Sequence, residues 1–127
     1  MVVNPNSNKP IYVQIAEWLE TEILSGNINS DEKIYSQYQL AEIFTINPAT
    51  AAKGLNILVD QKILYKKRGL GMFVSENAKE MVLMKRKSET LQQMIEDLVS
   101  EAQRLAVSEA ELIEMIKSVK KEEEGRL

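Results

Sequence analysis

A mainly α-helical fold with one small β-hairpin is what this sequence predicts, and three observations carry the prediction. Residues 35–59 read as two short helices joined by a tight turn, and residues 63–75 as two strands around a glycine-bearing turn. Everything after Ser75 is charged and helical in pattern, with no further glycine until Gly125. Together these make an N-terminal winged helix-turn-helix over residues 1–76, followed by a two-helix tail over residues 77–127.

Bulk properties set the frame. A chain of 127 residues with 44% hydrophobic content has room for one ordinary domain plus an appendage and should fold. It contains no cysteine and no histidine, which removes disulfides, thiolate nucleophiles, Cys-type zinc sites and the usual general base near neutral pH. No glycine-rich phosphate loop or paired-acid motif stands out, so an enzyme is disfavoured and no cofactor is expected. The start of the chain, MVVNPNSNKP, lacks a basic segment followed by an apolar core, and nothing approaches the roughly 18 apolar residues of a membrane span. A soluble cytoplasmic protein is the expectation.

Residues 1–8 are polar without periodicity and read as a flexible arm. Ile11, Ile15, Trp18, Leu19 and Ile23 then recur at helical spacing, giving a helix that ends near Ser25 with Gly26 just past its C-terminus. Trp18 on this stripe reads as a core or interface anchor. Residues 27–33 are turn-rich, and a short edge strand fits residues 33–35. Ser36 with Gln39 three residues on is a capping-box spacing, opening a helix whose Leu40, Ile43 and Phe44 should face inward. Asn47 caps the next helix and Pro48 takes its first position, where a missing N–H costs nothing.

The second helix of the pair places Ala51, Leu55, Leu58 and Val59 on one face and Asn47, Ala49, Thr50, Lys53 and Asn56 on or near the other. That outer face is small, uncharged or basic. Such a face can enter a major groove, where phosphate repels acidic side chains and short polar ones reach base edges. The same pattern also suits a solvated helix of an ordinary bundle. The hairpin that follows tips the balance. Its strands ILYKK and MFVS flank the turn RGLG, Lys66, Lys67 and Arg68 charge the tip, and Gly69 and Gly71 let bare backbone approach another surface.

Charge is distributed rather than absent. The whole chain carries −3, yet residues 43–75 carry a net +4, from five basic side chains against Asp60 alone. A cationic face on an otherwise anionic protein fits a double-stranded DNA partner met on one side.

In the tail, Leu91, Met94, Ile95, Leu98, Ala102 and Leu105 follow three-four spacing that continues upstream through Met84, consistent with one helix of about 40 Å over residues 79–106. Val107 and Ser108 then mark a break with a new cap, and Leu112, Ile113, Met115, Ile116 and Val119 line the next helix. Such stripes need cover. Pairing with a second copy through Met84, Leu91, Met94, Ile95, Leu98, Ala102, Leu105, Leu112 and Ile116 supplies it, and folding back over the chain's own domain is the alternative. The methionines at 72, 81, 84, 94 and 115 read as core, with no metal site. A small-molecule effector would have to sit between paired tail helices, and no motif names one.

Three stretches, PIYVQIAEWLETEILSGNI, YSQYQLAEIFTINPATAAKGLNILVDQKIL and RGLGMFVS, resemble the DNA-binding domain of the GntR family of bacterial winged-helix regulators, over about residues 9–75. Asn47-Pro48 with Thr50, and a short helical tail in place of a large effector domain, are similar to the YtrA-like branch of that family. The resemblance implies a transcriptional regulator, usually a repressor, that binds a palindromic operator as a homodimer. It places Ser36, Gln37 and Tyr38 at a helix start near phosphate, Asn47, Ala49, Thr50 and Lys53 toward the groove, and Arg68 and Gly69 at the wing tip. The sequence departs from the family where many members carry Pro-Ser-Glu-Arg at residues 35–38, and where arginine is common at Pro48 and Ala52. Losing arginine while keeping Asn and Gln predicts an operator leaning toward A·T pairs. A winged-helix module that contacts protein and dimerises through its tail is the alternative function.

Overall fold

The computed structural model describes residues 3–126. The chain forms two compact units, the first ending at Lys85 and the second beginning at Arg86. In the first unit α1 (Ile11–Leu24), α2 (Gln37–Phe44) and α3 (Pro48–Asp60) are followed by β1 (Leu64–Lys67), β2 (Gly71–Val74) and α4 (Ala78–Lys85). The second holds a π-helical segment (Arg86–Leu91), α5 (Gln92–Arg104) and α6 (Glu109–Gly125). The mainly α fold with one antiparallel hairpin is therefore the observed one.

The core of the first unit assembles from the inner stripes of all these elements. Ile15 and Leu19 of α1, Leu40 of α2, Leu58 of α3, Leu64 and Val74 of the hairpin and Val82 of α4 are fully buried, as is Ile63 just before β1. Burying such side chains contributes about 1.5–3 kcal/mol each relative to exposure. Trp18 anchors one end of this core, edge-on to Phe44 at 5.0 Å between ring centroids and tilted against Tyr35 at 5.6 Å. Phe44 takes the interior position beside Trp18, and α2 is turned toward it. Ile43, expected to face inward, is instead 49% exposed.

Turns close as the local residues dictate. Gly26 past α1 has φ +81°, and the N–H groups of Asn27 and Ile28 return to the Glu22 carbonyl at 3.0 and 3.2 Å. Between α2 and α3, Thr45 adopts the left-handed conformation (φ 54°, ψ 56°) and the Ile46 N–H reaches the Ala41 carbonyl at 3.0 Å. The hairpin pairs Leu64 with Val74 and Lys67 with Gly71. The edge strand expected at residues 33–35 is a single bridge, Lys33 to Phe73, supported by Ile34 N–H to the Met72 carbonyl at 2.9 Å.

Residues 1 and 2 of the expected arm lie outside the described residues. From Asn4 to Lys9 the chain is tied to α1. The Asn4 N–H donates to Gln14 Oε1 at 2.8 Å, Gln14 Nε2 donates back to the carbonyls of Asn4 and Lys9, and Lys9 pairs with Glu17.

The first unit runs past residue 76, because Ala78 and Val82 of α4 join its core. The helix expected over residues 79–106 is likewise not one regular α-helix. Residues 86–91 close the wider π-type turns, and α5 resumes at Gln92. α5 ends at Arg104, and just beyond it Ala106, with a φ of +56°, lets the Val107 N–H return to the Ala102 carbonyl at 2.8 Å. Ser108 accepts from the Glu111 N–H and starts α6.

Candidate nucleic-acid interface

The helix-turn-helix is held by its caps. At the start of α2 the Gln39 N–H donates to Ser36 Oγ at 3.1 Å and the Ser36 N–H donates to Gln39 Oε1 at 2.8 Å, a complete capping box. This spends the Ser36 oxygen and the Gln39 carbonyl on the backbone. The N–H groups of Gln37 and Tyr38, in the first turn, have no intrahelical partner and suit an anion. Tyr38 is 70% exposed beside them.

In α3 the Asn47 side chain accepts from the Ala49 N–H at 2.8 Å, and Pro48 occupies the first helical position. Ala49, Lys53 and Asn56 are exposed and Thr50 half-buried, while Ala51, Gly54, Leu55 and Leu58 are buried on the opposite side. Asparagine reads adenine by presenting its oxygen and amino group together. The Asn47 oxygen accepts one bond from the Ala49 N–H and keeps its second lone pair, with the amino group, for a base edge. The Lys53 ammonium lies 5.7 Å from the centre of the Tyr12 ring, its stem leaning back over α1.

Gly54 decides how close α3 comes to α1. A Cβ at this position would stand 2.9 Å from the Tyr12 carbonyl oxygen and 3.1 Å from Ile15 side-chain carbons. α3 is thereby seated close against the α1 backbone.

The wing divides its charges between two faces, since successive strand residues point to opposite sides. Lys67 folds over the aromatic face made by Tyr65 and Phe73, which stack at 5.9 Å. Lys66, opposite Met72, shares the other face with Leu64. Arg68 is exposed at the turn, and nothing stands within 4 Å of where a side chain at Gly69 would begin. Leu70, beside it, is 61% exposed.

One cation of this region escaped the sequence reading. The Lys33 stem crosses Gly71, with Cε 2.8 Å from where a Cβ there would sit, which brings an ammonium beside the turn end of the wing. Its only sequence signal is its place in the bridged segment before Ile34. Tyr65 donates from its hydroxyl to Asp31 Oδ1 at 2.9 Å. That bond, with burial and the Asp31 charge, pushes the phenol above its ordinary value of 10.0.

A family model for bacterial regulatory proteins, gntR family, matches residues 11–74, from the first residue of α1 to the last of β2. The chain belongs to the GntR family. This GntR chain is 31% identical to the HTH-type transcriptional repressor YtrA of Bacillus subtilis (strain 168), over 97% of its own length and 94% of the relative's. It superposes on a GntR family transcriptional regulator from Listeria monocytogenes with a TM-score of 0.73 and 28% identity, covering 89% of this chain and 97% of that one. It also matches the AraR DNA-binding domain, solved in complex with operator ORX1, with a TM-score of 0.54 and 33% identity over 59% of this chain and 95% of that one.

GntR membership makes the protein a DNA-binding transcriptional regulator and not an enzyme. No helix among the described residues is long and apolar enough to cross a membrane. In the GntR chain's second unit Leu91, Met94, Ile95 and Leu98 line an apolar groove of about 520 Å³ together with Asp97. Leu105 and Ile116 are 67% and 48% exposed, Leu112 is half-buried and Ala102 is buried. Met84, in α4 of the first unit, is 72% exposed.

Proposed function

We propose that this regulator is a cytoplasmic repressor that binds a palindromic operator as a homodimer, with α3 in the major groove and the wing on phosphate or in the adjacent minor groove. The observation that carries the reading is the outer face of α3. Asn47, Ala49, Thr50, Lys53 and Asn56 present no acidic group, and the following hairpin ends in Arg68 and an unobstructed Gly69. The first turn of α2, with Gln37 and Tyr38, supplies phosphate contacts that fix register, as the wing cations do. The repressor name of the YtrA relative and the operator complex of the AraR domain support the direction of regulation and the kind of partner.

The exposed stripe Leu91, Met94, Ile95 and Leu98, extended by Leu105 and Ile116, supports the dimeric reading. Large apolar side chains at helical spacing on one groove are the ordinary material of a helix interface. A dimer presents two recognition helices about one helical turn, roughly 34 Å, apart and reads two half-sites.

Selection from randomised duplex DNA at two salt concentrations tests this. The expected result is enrichment of an inverted repeat whose affinity falls steeply with salt. Binding that salt leaves unchanged, without enrichment, would favour the protein-contact module instead.

A further inference from the structure

Several cations of the first unit are already engaged. Lys9 pairs with Glu17, Lys85 with the buried Glu20, and the ammonium groups of Lys53 and Lys67 lie over the rings of Tyr12 and Phe73. Lys33 is exposed, and among the described residues no ion pair, hydrogen bond or ring contact takes up its ammonium. The two acids beside it in sequence are committed elsewhere, Asp31 to the Tyr65 hydroxyl at 2.9 Å and Glu32 to the Asn29 N–H at 2.9 Å. The backbone that carries Lys33 is bonded into the wing. Asp31 N–H donates to the Val74 carbonyl at 2.7 Å, Val74 N–H donates to the Glu32 carbonyl at 2.9 Å, and Lys33 stands opposite Phe73. From there its stem runs toward the turn and passes Gly71, with Cε 2.8 Å and Nζ 3.6 Å from where a Cβ would begin. Any side chain at 71 would meet this stem, and glycine leaves its path open. Lys33 and Gly71 line one groove of about 210 Å³ with Ser36, Gln37 and Tyr38 at the start of α2.

We propose that Lys33 is a phosphate-binding residue whose ammonium takes the duplex backbone passing between the start of α2 and the wing. The inference rests on the DNA reading above, with α3 in the major groove and the wing at the adjacent minor groove. In a duplex one sugar-phosphate strand separates each major groove from the minor groove beside it, so a side chain between the helix-turn-helix and the wing meets phosphate before it meets a base edge. Lys33 lies there, and the bonds that tie its backbone to β2 hold it in place before DNA arrives. A lysine so placed acts as a point charge that adds affinity and register without sequence information.

The test titrates the full chain across a salt series on its selected operator and on a scrambled duplex. Lys33→Gln removes the charge from an exposed position, where such a change leaves folding intact. It is expected to weaken binding to both duplexes by the same factor and to lower the salt slope by about 0.9, so that between about 50 and 200 mM salt its affinity falls about 3.5-fold less than that of the wild type. Lys33→Arg should keep the wild-type slope. Lys79→Gln removes an equal charge from α4, which the DNA reading does not use, and should leave the slope alone. Neutral methylphosphonates placed one at a time along the operator locate the contact, as the position whose penalty in the wild type disappears in Lys33→Gln. The inference is overturned by an equal drop in Lys79→Gln, by a Lys33→Arg slope as low as that of Lys33→Gln, by methylphosphonate penalties that all persist in Lys33→Gln, or by a loss confined to the selected operator. A steep wild-type slope that Lys33→Gln leaves unmoved overturns this inference alone. A wild type whose binding ignores salt overturns the DNA reading and this inference with it.

Discussion

The ammonium of Lys67 sits 4.5 Å from the centroid of the Phe73 ring. Its charge is thus committed to the aromatic face of the wing, whereas Arg68 one residue on is exposed at the turn. Phe73→Leu removes this cation–π contact and the stack on Tyr65, and is expected to lower the unfolding free energy by about 1–2 kcal/mol. Urea denaturation measures it; an unchanged midpoint would show that the pair contributes nothing.

Arg68 and Thr50 should separate affinity from preference. Arg68→Ala is expected to weaken binding to all duplexes alike and to reduce the salt slope by about 1. Lys67→Ala should reduce it by less, because that cation is already engaged. Thr50→Ala should change the ranking among sequences while leaving the slope alone. Parallel titrations of the three variants against selected and scrambled DNA decide this, and a sequence-dependent effect of Arg68→Ala would place the wing in base readout.

Gly54→Ala sets two effects against each other. Alanine gains about 1 kcal/mol of helix propensity. The new Cβ would meet the Tyr12 carbonyl oxygen at 2.9 Å, and overpacking of this kind costs about 1–3 kcal/mol. A net loss of stability is expected, while Asn56→Ala on the outer face should stay within about 0.5 kcal/mol. Thermal denaturation of both variants gives the comparison; a stabilised Gly54→Ala would mean that α1 and α3 can separate freely.

Tyr65 gives the unit an alkaline dependence of definite sign. Its folded pKa is raised by the hydrogen bond to Asp31, so the stabilisation is fully present below the unfolded value of 10.0 and is lost as pH rises through the folded value. Denaturation midpoints followed from pH 8 to 11 should fall at the upper end, and Tyr65→Phe should flatten that part of the profile. An identical fall in Tyr65→Phe would assign it to other groups.

What the sequence made legible was chiefly local. Ser36 with Gln39 and Asn47 with Ala49 bond within three residues of each other, so residue type and spacing were enough to place both helix starts. The hairpin was readable because its turn glycines and its alternating strands are adjacent in sequence. Glu20 and Lys85 stand 65 positions apart, and no local pattern distinguishes their pair from two solvated charges. Residues 86–91 contain neither glycine nor proline, the residues by which a helix interruption is recognised, so the apolar period ran through the π-helical segment unnoticed. Ile43 was placed inward by periodicity alone, whereas in the structure its neighbour Phe44 packs on Trp18 and Ile43 is exposed, a choice between adjacent residues that the period does not make.

Gly54 bears on the outer face of α3 as well. The residue that seats α3 is on its inner face, and the exposed outer positions Ala49 and Asn56 are absent from that seat. Mutations at those two positions therefore leave the seat as it is. With α3 in the groove as proposed, substitutions at such positions change what the helix offers to a base edge and leave untouched the close approach to α1 that Gly54 permits.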